Sequence, residues 1–131
     1  MSLMQWDSRL ETGESQIDSQ HQALVEALNR LHSAMLEGNG RSEVGASLKF
    51  LSDYTLSHFA MEEEMMDLYA YPAASSHKKI HSDLIASLND LVEGFQRGST
   101  ALTIAVMIFL EEWLTNHFLG EDARFVEFSH I

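Results

Sequence analysis

The sequence predicts an all-α protein: an antiparallel up-down-up-down four-helix bundle with a non-helical N-terminal arm. Apolar residues recur at alternating spacings of three and four through four long segments, which places each set on one helix face. Turn-forming residues are few and fall between those segments, so short connections join long helices, as in an antiparallel bundle. With 131 residues, the chain is expected to form one domain, 1–131.

Start and stop signals bound each predicted element. Residues 1–17 are assigned to the arm, with Trp6 and Ile17 expected to fold onto the bundle. The helices are predicted at about 18–37, 42–70, 73–96 and 100–119. Their candidate N-caps are Asp18, Ser42 and Ser99 or Thr100. The last dozen residues are expected to form a short tail that adds at most a final turn.

The inward faces support each helix in turn. The first face contains Leu24, Leu28, Leu31 and Met35. The second contains Val44, Leu48, Leu51, Thr55, Met65 and Tyr69. The third contains Leu84, Leu88, Leu91 and Phe95, and the fourth contains Thr103, Val106, Leu110 and Trp113. Each set is periodic enough to bury one side of its helix in a shared core.

Composition excludes several classes of function. The formal net charge of −12 repels phosphate backbones and anionic lipid, so neither nucleic acid nor a membrane is expected as a partner. The most apolar run, Ala101 to Leu110, is too short to span a bilayer. The sequence contains no cysteine, which excludes disulfides and thiolate ligands. Because no secretory signal is recognisable either, a cytoplasmic location is expected.

The most informative feature is a set of polar residues on the inward faces: His21, His58, Glu62, His77, His81, His117 and Asp122. Such positions are normally aliphatic, and unsatisfied polar groups there would be strongly destabilising. In an up-down bundle these residues converge at one end of the molecule. A lone core histidine is more often a hydrogen-bonded structural residue, but the repetition on four helices favours a pair of metal ions.

Spacing within the set is regular except at its last member. His58 and Glu62 are four residues apart, as are His77 and His81, so each pair projects from one helix face. Asp122 follows His117 by five residues, which does not fit one face of a regular α-helix. We therefore expect Asp122 at a helix end or at a local widening of the helix, eased by Gly120.

The donor types narrow the choice of metal. Five imidazoles and two carboxylates suit iron, manganese, zinc or copper better than calcium or magnesium. Seven side chains exceed the ordinary shell of one ion, so two ions are implied, with the two carboxylates bridging them. A histidine-rich shell carries less negative charge than a carboxylate-rich one, which favours O2 binding over oxidation of iron to high-valent states.

Neighbouring residues are assigned structural roles. Four titratable residues outside the set are expected at the surface: His32, Glu63, Glu64 and His130. Three residues around His117 are expected to pack in the core and to wall the metal pocket: Trp113, Leu114 and Phe118. Three methionines are interpreted as core filler: Met61, Met65 and Met66.

The order of these motifs resembles the hemerythrin family, and in particular the single-domain bacteriohemerythrins. The order is His, His-x-x-x-Glu, His-x-x-x-His and His-x-x-x-x-Asp. Flanking residues agree: Ile17-Asp18-x-x-His21-Gln22, His58-Phe59-x-x-Glu62-Glu63, Tyr71-Pro72 and Trp113-Leu114-x-x-His117. The resemblance extends over roughly residues 6–125 and depends on the motifs together, since each alone is weak.

The resemblance implies reversible O2 binding at two non-heme irons. One iron would be held by His77, His81 and His117, and the other, with an open position, by His21 and His58. Glu62 and Asp122 would bridge them together with a solvent-derived oxo or hydroxo group. Trp113, Leu114 and Phe118 match positions that line the O2 pocket. Phe118 stands where the family more usually has a smaller aliphatic residue, so a narrower pocket is expected.

Several roles fit such a centre. The leading prediction is a non-enzymatic oxygen carrier, store or buffer that supplies oxygen-consuming enzymes, with small anions or NO as further ligands. A sensor of O2 or redox state acting through a separate signalling partner is the second. A di-iron peroxidase or oxidase is the third, and the full ligation by seven side chains argues against it. Iron storage is a weaker fourth.

Overall fold

The computed structural model describes residues 3–38, 41–98 and 104–129, and within these ranges the regular structure is entirely helical. Helix α1 spans Ser15–Leu36, α2 spans Arg41–Leu68, α3 spans Ala74–Arg97 and α4 spans Ile104–His117. A π-helical segment, Phe118–Asp122, continues α4 directly into α5, Ala123–Ser129. The predicted four-helix bundle is thereby confirmed, and its fourth helix proves longer than expected.

The N-terminal arm is partly helical, which corrects the prediction. It contains a 3-10 turn, Ser8–Leu10, and α1 begins at Ser15 rather than at residue 18. The N-cap is Glu14, whose carboxylate accepts the Ile17 amide at 2.7 Å. The predicted cap, Asp18, lies inside the helix and accepts the amides of Thr12 and Gly13 instead. Asp18 therefore fixes the loop before the helix.

The other helix boundaries shift slightly. Ser42 lies within α2 rather than at its cap, and α3 begins at Ala74 after a residue, Ala73, that makes no side-chain cap. Ser99 and Thr100, the candidate caps of α4, and His130 in the tail lie outside the described residues. Helix α3 ends at Arg97 and is capped by Gly98, whose left-handed φ of 76° lets its amide reach the Gly94 and Phe95 carbonyls.

The tail is also corrected. Residues 123–129 form α5, and its Phe125 and Val126 side chains are completely buried. They pack with Ile17 and Met66 into a small apolar cluster at one end of the bundle. The main core, formed by all four long helices, lies on the other side of the seven predicted metal ligands. The polar set is thus enclosed between two apolar clusters.

Three further predictions concern His32, the packing of the N-terminal arm and a membrane span. His32 is half-buried, and its Nδ1 atom is shielded from solvent, so the predicted surface position was wrong. Trp6 and Ile17 do pack onto the bundle, Trp6 against the main core and Ile17 in the small cluster. Asn29 holds the arm near Trp6 by binding the Met4 backbone through both its amide atoms. Among the described residues, every helix is too short or too polar to cross a membrane.

Candidate metal centre

Five structural elements contribute one side chain or a pair to the same buried point. Helix α1 provides His21, α2 provides His58 and Glu62, and α3 provides His77 and His81. His117 ends α4, and Asp122 ends the π-helical segment. Each of the seven residues is at most 3% exposed to solvent. The structure therefore brings together every residue that the sequence analysis singled out as a metal ligand.

These residues form two overlapping groups. The first contains His77, His81 and His117, and the second contains His21 and His58. Glu62 and Asp122 belong to both groups. Within each group the candidate ligand atoms lie within 4.8 Å of one another, close enough to surround one ion. The arrangement could hold two adjacent metal ions that share the two carboxylates.

Glu62 divides its two oxygens between the groups. Oε1 lies 2.9 Å from His77 Nε2 and 3.3 Å from His81 Nε2. Oε2 lies 3.3 Å from His58 Nε2, on the opposite side. Each oxygen therefore faces one of the two metal positions, as a bridging carboxylate requires.

Asp122 divides its oxygens in the same manner. Oδ1 lies 3.0 Å from both His77 Nε2 and His117 Nε2. Oδ2 lies 2.9 Å from His21 Nε2 and 4.0 Å from His58 Nε2. Two bridging candidates with the same orientation make a shared two-metal site the simplest account of the cluster.

The π-helical segment explains how Asp122 reaches this position. Its wider turn places Asp122 and His117, five residues apart in sequence, beside each other in space. A regular α-helix would have rotated Asp122 away from the centre by about 100° relative to the i+4 position. The predicted local widening is therefore present and includes Gly120.

Polar atoms at the centre remain unsatisfied by the protein. Among the described residues, all four oxygens of Glu62 and Asp122 lack a well-aligned hydrogen-bond donor, although histidine nitrogens lie close to them. The same holds for Nε2 of His21, His58 and His77. Buried polar groups normally have partners, because desolvation without one costs several kcal/mol. Metal ions at the two positions would satisfy these atoms, so the residues fit a pair of metals.

The charges of the metal-free cluster are strongly coupled. Burial opposes protonation of His58, yet the close Asp122 and Glu62 carboxylates outweigh it and raise the pKa of His58 to about 9. The same balance raises the pKa of His77 to about 9. Burial and the neighbouring Asp122 charge oppose ionisation of Glu62, but three histidines lower its pKa. The pKa of Asp122 lies well below its usual value despite complete burial.

A second layer of polar residues contacts the outer nitrogens of the histidines. Glu63 Oε2 accepts from His81 Nδ1 at 2.9 Å, and Gln20 Oε1 accepts from His58 Nδ1 at 2.7 Å. Glu121 Oε2 lies 3.6 Å from His117 Nδ1. Glu63 belongs to neither group of candidate ligands, as predicted, but its side chain is only 29% exposed because it reaches across to His81 on α3. The prediction for Glu64 was right, since that side chain is exposed.

Aromatic rings enclose the histidines. Phe118 stacks on His21 with ring centroids 3.7 Å apart and is 1% exposed. Phe59 stacks on His81 at 3.7 Å, and the half-buried Trp113 stacks on His117 at 4.6 Å. Phe59 was quoted in a sequence motif but given no role there. Its position one residue after His58 was the available signal.

The three predicted pocket residues have different surroundings: two stack on candidate ligands, and the third packs in the apolar core. Phe118 covers the two-histidine position, whereas Trp113 covers His117 of the three-histidine position. Leu114 is buried in the main core, where it lines a small cavity together with Trp113. The other residues of that cavity are Leu51, Thr55, Leu84, Leu88 and Leu110.

Comparison with known proteins decides the family. The model of the hemerythrin HHE cation-binding domain matches residues 12–128. The chain is 35% identical to a bacteriohemerythrin of Stenotrophomonas maltophilia over 127 residues, which are 97% of this chain and 82% of that protein. The chain belongs to the hemerythrin family.

More distant hemerythrins and a solved structure agree. A bacteriohemerythrin of Methylococcus capsulatus is 34% identical over 89% of each chain. A myohemerythrin of Riftia pachyptila is 31% identical over 92% of this chain and 88% of that protein. A crystal structure of wild-type hemerythrin superposes with a TM-score of 0.91 at 31% identity, covering 96% of this chain and 97% of that one. Hemerythrins bind non-heme iron, and the family match includes the whole seven-residue cluster.

Proposed function

We propose that this protein binds O2 reversibly at a non-heme di-iron centre and acts as an oxygen carrier, store or buffer. One observation supports the proposal above all others: two groups of histidines share the same two buried carboxylates. In this assignment His77, His81 and His117 hold one iron, and His21 and His58 hold the other. Glu62 and Asp122 bridge the pair, together with a solvent-derived oxo or hydroxo group.

The donor count determines where O2 binds. The three-histidine position would offer one metal ion three imidazoles and two carboxylates, and a shared solvent ligand would fill its remaining place. The two-histidine position has one imidazole fewer, so the same bridge leaves one place free. A bound iron pair would supply the electrons that O2 accepts on binding, and it would take them back when O2 is released. The protein's contribution is to keep that place accessible to O2 and closed to competing reactions.

The surrounding residues exclude water from the open position. Phe118 covers His21 face to face, and Phe125 closes the end of the bundle beyond the centre. Exclusion of water would slow the irreversible oxidation of the irons by O2. It therefore favours reversible O2 binding. Phe118 also narrows the space for other ligands. We expect small anions and NO to compete with O2 only if they fit beside this ring.

No turnover is proposed. The centre is ligated by seven side chains and keeps one open place, so a substrate and O2 cannot both bind to the metals. O2 would leave as it entered, and an oxygen-consuming enzyme is the partner class that such a carrier supplies. We further propose a cytoplasmic role, because a centre without cysteine ligands is not disturbed by a reducing compartment.

The test is anaerobic loading of the full chain with Fe(II), an O2 pulse, and then removal of O2, followed by iron counting and visible absorption. The expected result is two irons per chain and a charge-transfer band that appears with O2 and fades on deoxygenation. Two irons that oxidise once and do not return would overturn reversible binding and indicate an enzyme or redox sensor. Fewer than two irons would overturn the shared-site assignment.

A further inference from the structure

The outer nitrogens of the cluster histidines have unequal partners. On the three-histidine side, His81 Nδ1 lies 2.9 Å from the Glu63 carboxylate. On the two-histidine side, His58 Nδ1 lies 2.7 Å from the neutral Gln20 amide oxygen. His21 Nδ1 is buried and has no hydrogen-bond partner among the described residues. One side of the centre is thus supported by a negative charge, whereas the other has only an amide.

We propose that Glu63 is a positioning residue that makes the three-histidine position the stronger metal site, while Gln20 keeps the two-histidine position weaker. The proposal rests on the di-iron assignment above. A carboxylate that accepts the Nδ1 proton of an imidazole increases the electron density at Nε2, the nitrogen that faces the metal. A neutral amide fixes the same tautomer but adds no charge.

The geometry around His81 favours this role. Glu63 belongs to α2 and His81 to α3, so their hydrogen bond spans the interface between the two helices. Phe59 stacks on the His81 ring with an interplanar angle of 3°, which fixes the plane of the ring. His81 itself is fully buried, whereas the Glu63 side chain is 29% exposed. The carboxylate therefore stays in partial contact with water while it aligns a ring that has no such contact.

Glu121 adds little to this asymmetry. Its Oε2 lies 3.6 Å from His117 Nδ1, beyond hydrogen-bonding distance, and its Oε1 accepts from Arg124 at 3.2 Å. The arginine neutralises part of the charge that His117 would otherwise feel. Among these partners Glu63 is consequently the carboxylate in direct hydrogen-bond contact with a cluster imidazole.

The inference predicts an order of loading. The first metal ion bound by the protein should occupy the three-histidine position, and the last ion removed should leave from it. The same charge should stabilise the more oxidised state of that metal. The weaker two-histidine position, where O2 binds in the proposed function, should exchange its metal faster.

The experiment uses the full chain and two isosteric variants. Glu63→Gln keeps a hydrogen-bond acceptor of the same shape and removes the charge. Glu64→Gln is the matched control, because it removes the same charge from the adjacent, solvent-exposed side chain. Stepwise removal of Fe(II) by a competing chelator under anaerobic conditions gives two dissociation steps, and redox titration gives the reduction potentials.

Glu63→Gln is expected to weaken the tighter dissociation step by about tenfold or more and to raise one reduction potential. The other dissociation step should change little, and Glu64→Gln should leave both steps and both potentials unchanged. Equal behaviour of the two variants would overturn the proposal, as would an equal change in both steps. Circular dichroism and melting of the metal-free variants separate an effect on the metal from an effect on folding.

The reciprocal variant gives an independent test. Gln20→Glu places a carboxylate beside His58 and should strengthen the weaker dissociation step, bringing the two steps closer together. If Glu63→Gln does not fold, this variant alone decides: no change in the weaker step overturns the proposal. The iron count and the reversible oxygenation of the wild-type protein test the proposed function separately from this proposal. Reversible oxygenation with two irons would still stand if neither variant altered the dissociation steps.

Discussion

Glu62 and Asp122 each face histidines on two sides, so the cluster residues depend on one another for charge compensation. Each carboxylate oxygen lies within about 3–4 Å of at least one imidazole nitrogen and is shielded from solvent. In the metal-free protein, protonated histidines compensate the negative charge of the buried carboxylates. In the metal-bound protein, the metal ions would compensate it. Removing one histidine therefore weakens the site in both states.

His77 is the residue whose removal should be most costly. It approaches both carboxylates, at 2.9 and 3.0 Å. His77→Ala should lower the free energy of unfolding of the metal-free protein by about 3 kcal/mol or more, because it leaves buried charge unpaired. It should also reduce iron binding below two per chain. Denaturant titration and iron counting measure both effects.

His32→Ala is the control for that prediction. His32 is half-buried but distant in sequence from the ligand positions, and it belongs to neither metal-binding group. The variant should retain two irons, whatever its effect on stability. Loss of iron from His32→Ala, or full iron retention by His77→Ala, would contradict the ligand assignment.

The histidines also set a pH dependence of the metal-free protein. The pKa values of His58 and His77 rise from about 6.5 to about 9 on folding, because the Glu62 and Asp122 charges outweigh burial. Protonation of these residues therefore stabilises the fold fully below pH 6.5, and the stabilisation is lost as the pH rises through 9. The pKa values of both carboxylates are lowered, so their contribution is lost at acidic pH instead.

Urea unfolding of chelator-treated protein between pH 6 and pH 9.5 tests this dependence. Stability should fall with pH by up to about 1.4 kcal/mol per pH unit for each histidine. His77→Gln should reduce the slope by about half. A slope that is flat over this range, or that rises, would show that the carboxylates do not hold these protons.

Spacing was sufficient to predict the cluster, because residues four apart on an amphipathic helix share its buried face. It could not predict Gln20, Glu63 or Glu121 as partners of the histidines. Those contacts depend on how each helix is rotated about its own axis relative to its neighbour. Even a rotation smaller than the angle between successive residues would change them. Glu63 illustrates the point: one position after the buried Glu62, its carboxylate reaches His81 across the α2–α3 interface and is still 29% exposed.

At the level of elements, the fourth helix has the most unusual construction. The π-helical segment brings Asp122 to the centre, and the chain then continues as α5 across the end of the bundle. The i,i+5 spacing predicted the widening. It did not predict α5, because seven residues are too few to form a stable helix alone and their apolar contacts are distant in sequence. Phe125 and Val126 were the available signal.

Phe125→Ala tests whether α5 closes the metal centre. Phe125 is fully buried against Tyr71, Ile17 and Met66, so truncation should lower the free energy of unfolding by about 3–5 kcal/mol. It should also admit water at the end of the bundle and accelerate oxidation of the loaded irons. Chemical unfolding and the decay of the oxygenated spectrum are the measurements.

Phe50→Ala provides the comparison, because it removes the same side chain from a site that is 48% exposed. Its cost should be less than about 1 kcal/mol, with no change in the decay of the oxygenated spectrum. Equal spectral decay in the two variants would mean that α5 does not protect the centre.

Element boundaries show where local signals compete. Asp18 has the residue type of an N-cap, yet Glu14 caps α1, since Asp18 binds the Thr12 and Gly13 amides from within the first turn. Both residues satisfy amides that would otherwise be unpaired at the helix start. Sequence alone identified the feature, a polar helix start near residue 18. It could not choose between two acidic residues that serve adjacent parts of the same loop.

At the scale of the molecule, the metal centre lies between two apolar clusters, and neither cluster extends through it. The seven candidate ligands therefore form a polar layer that divides the bundle. The stability of this layer depends on whether protons or metal ions neutralise its two carboxylates. Protons occupy that layer when metal is absent, and metal ions must displace them. Metal binding and protonation consequently compete for the same nitrogens.

This competition predicts how metal affinity depends on pH. His58 and His77 retain protons up to about pH 9 in the metal-free protein, so each must release one when the metals bind. Loading with Zn²⁺ as a redox-inert probe should therefore release about two protons per chain from these histidines at neutral pH, and one more for each water that binds as hydroxide. The apparent affinity should rise by up to about tenfold per pH unit for each histidine, and it should level off above pH 9. The stability of the metal-free protein changes in the opposite direction over the same range.

Proton release is measured with an indicator dye in weakly buffered solution, and affinity with a chelator calibrated at each pH. An affinity that does not change between pH 6.5 and pH 9 would show that His58 and His77 are already neutral when the metals arrive.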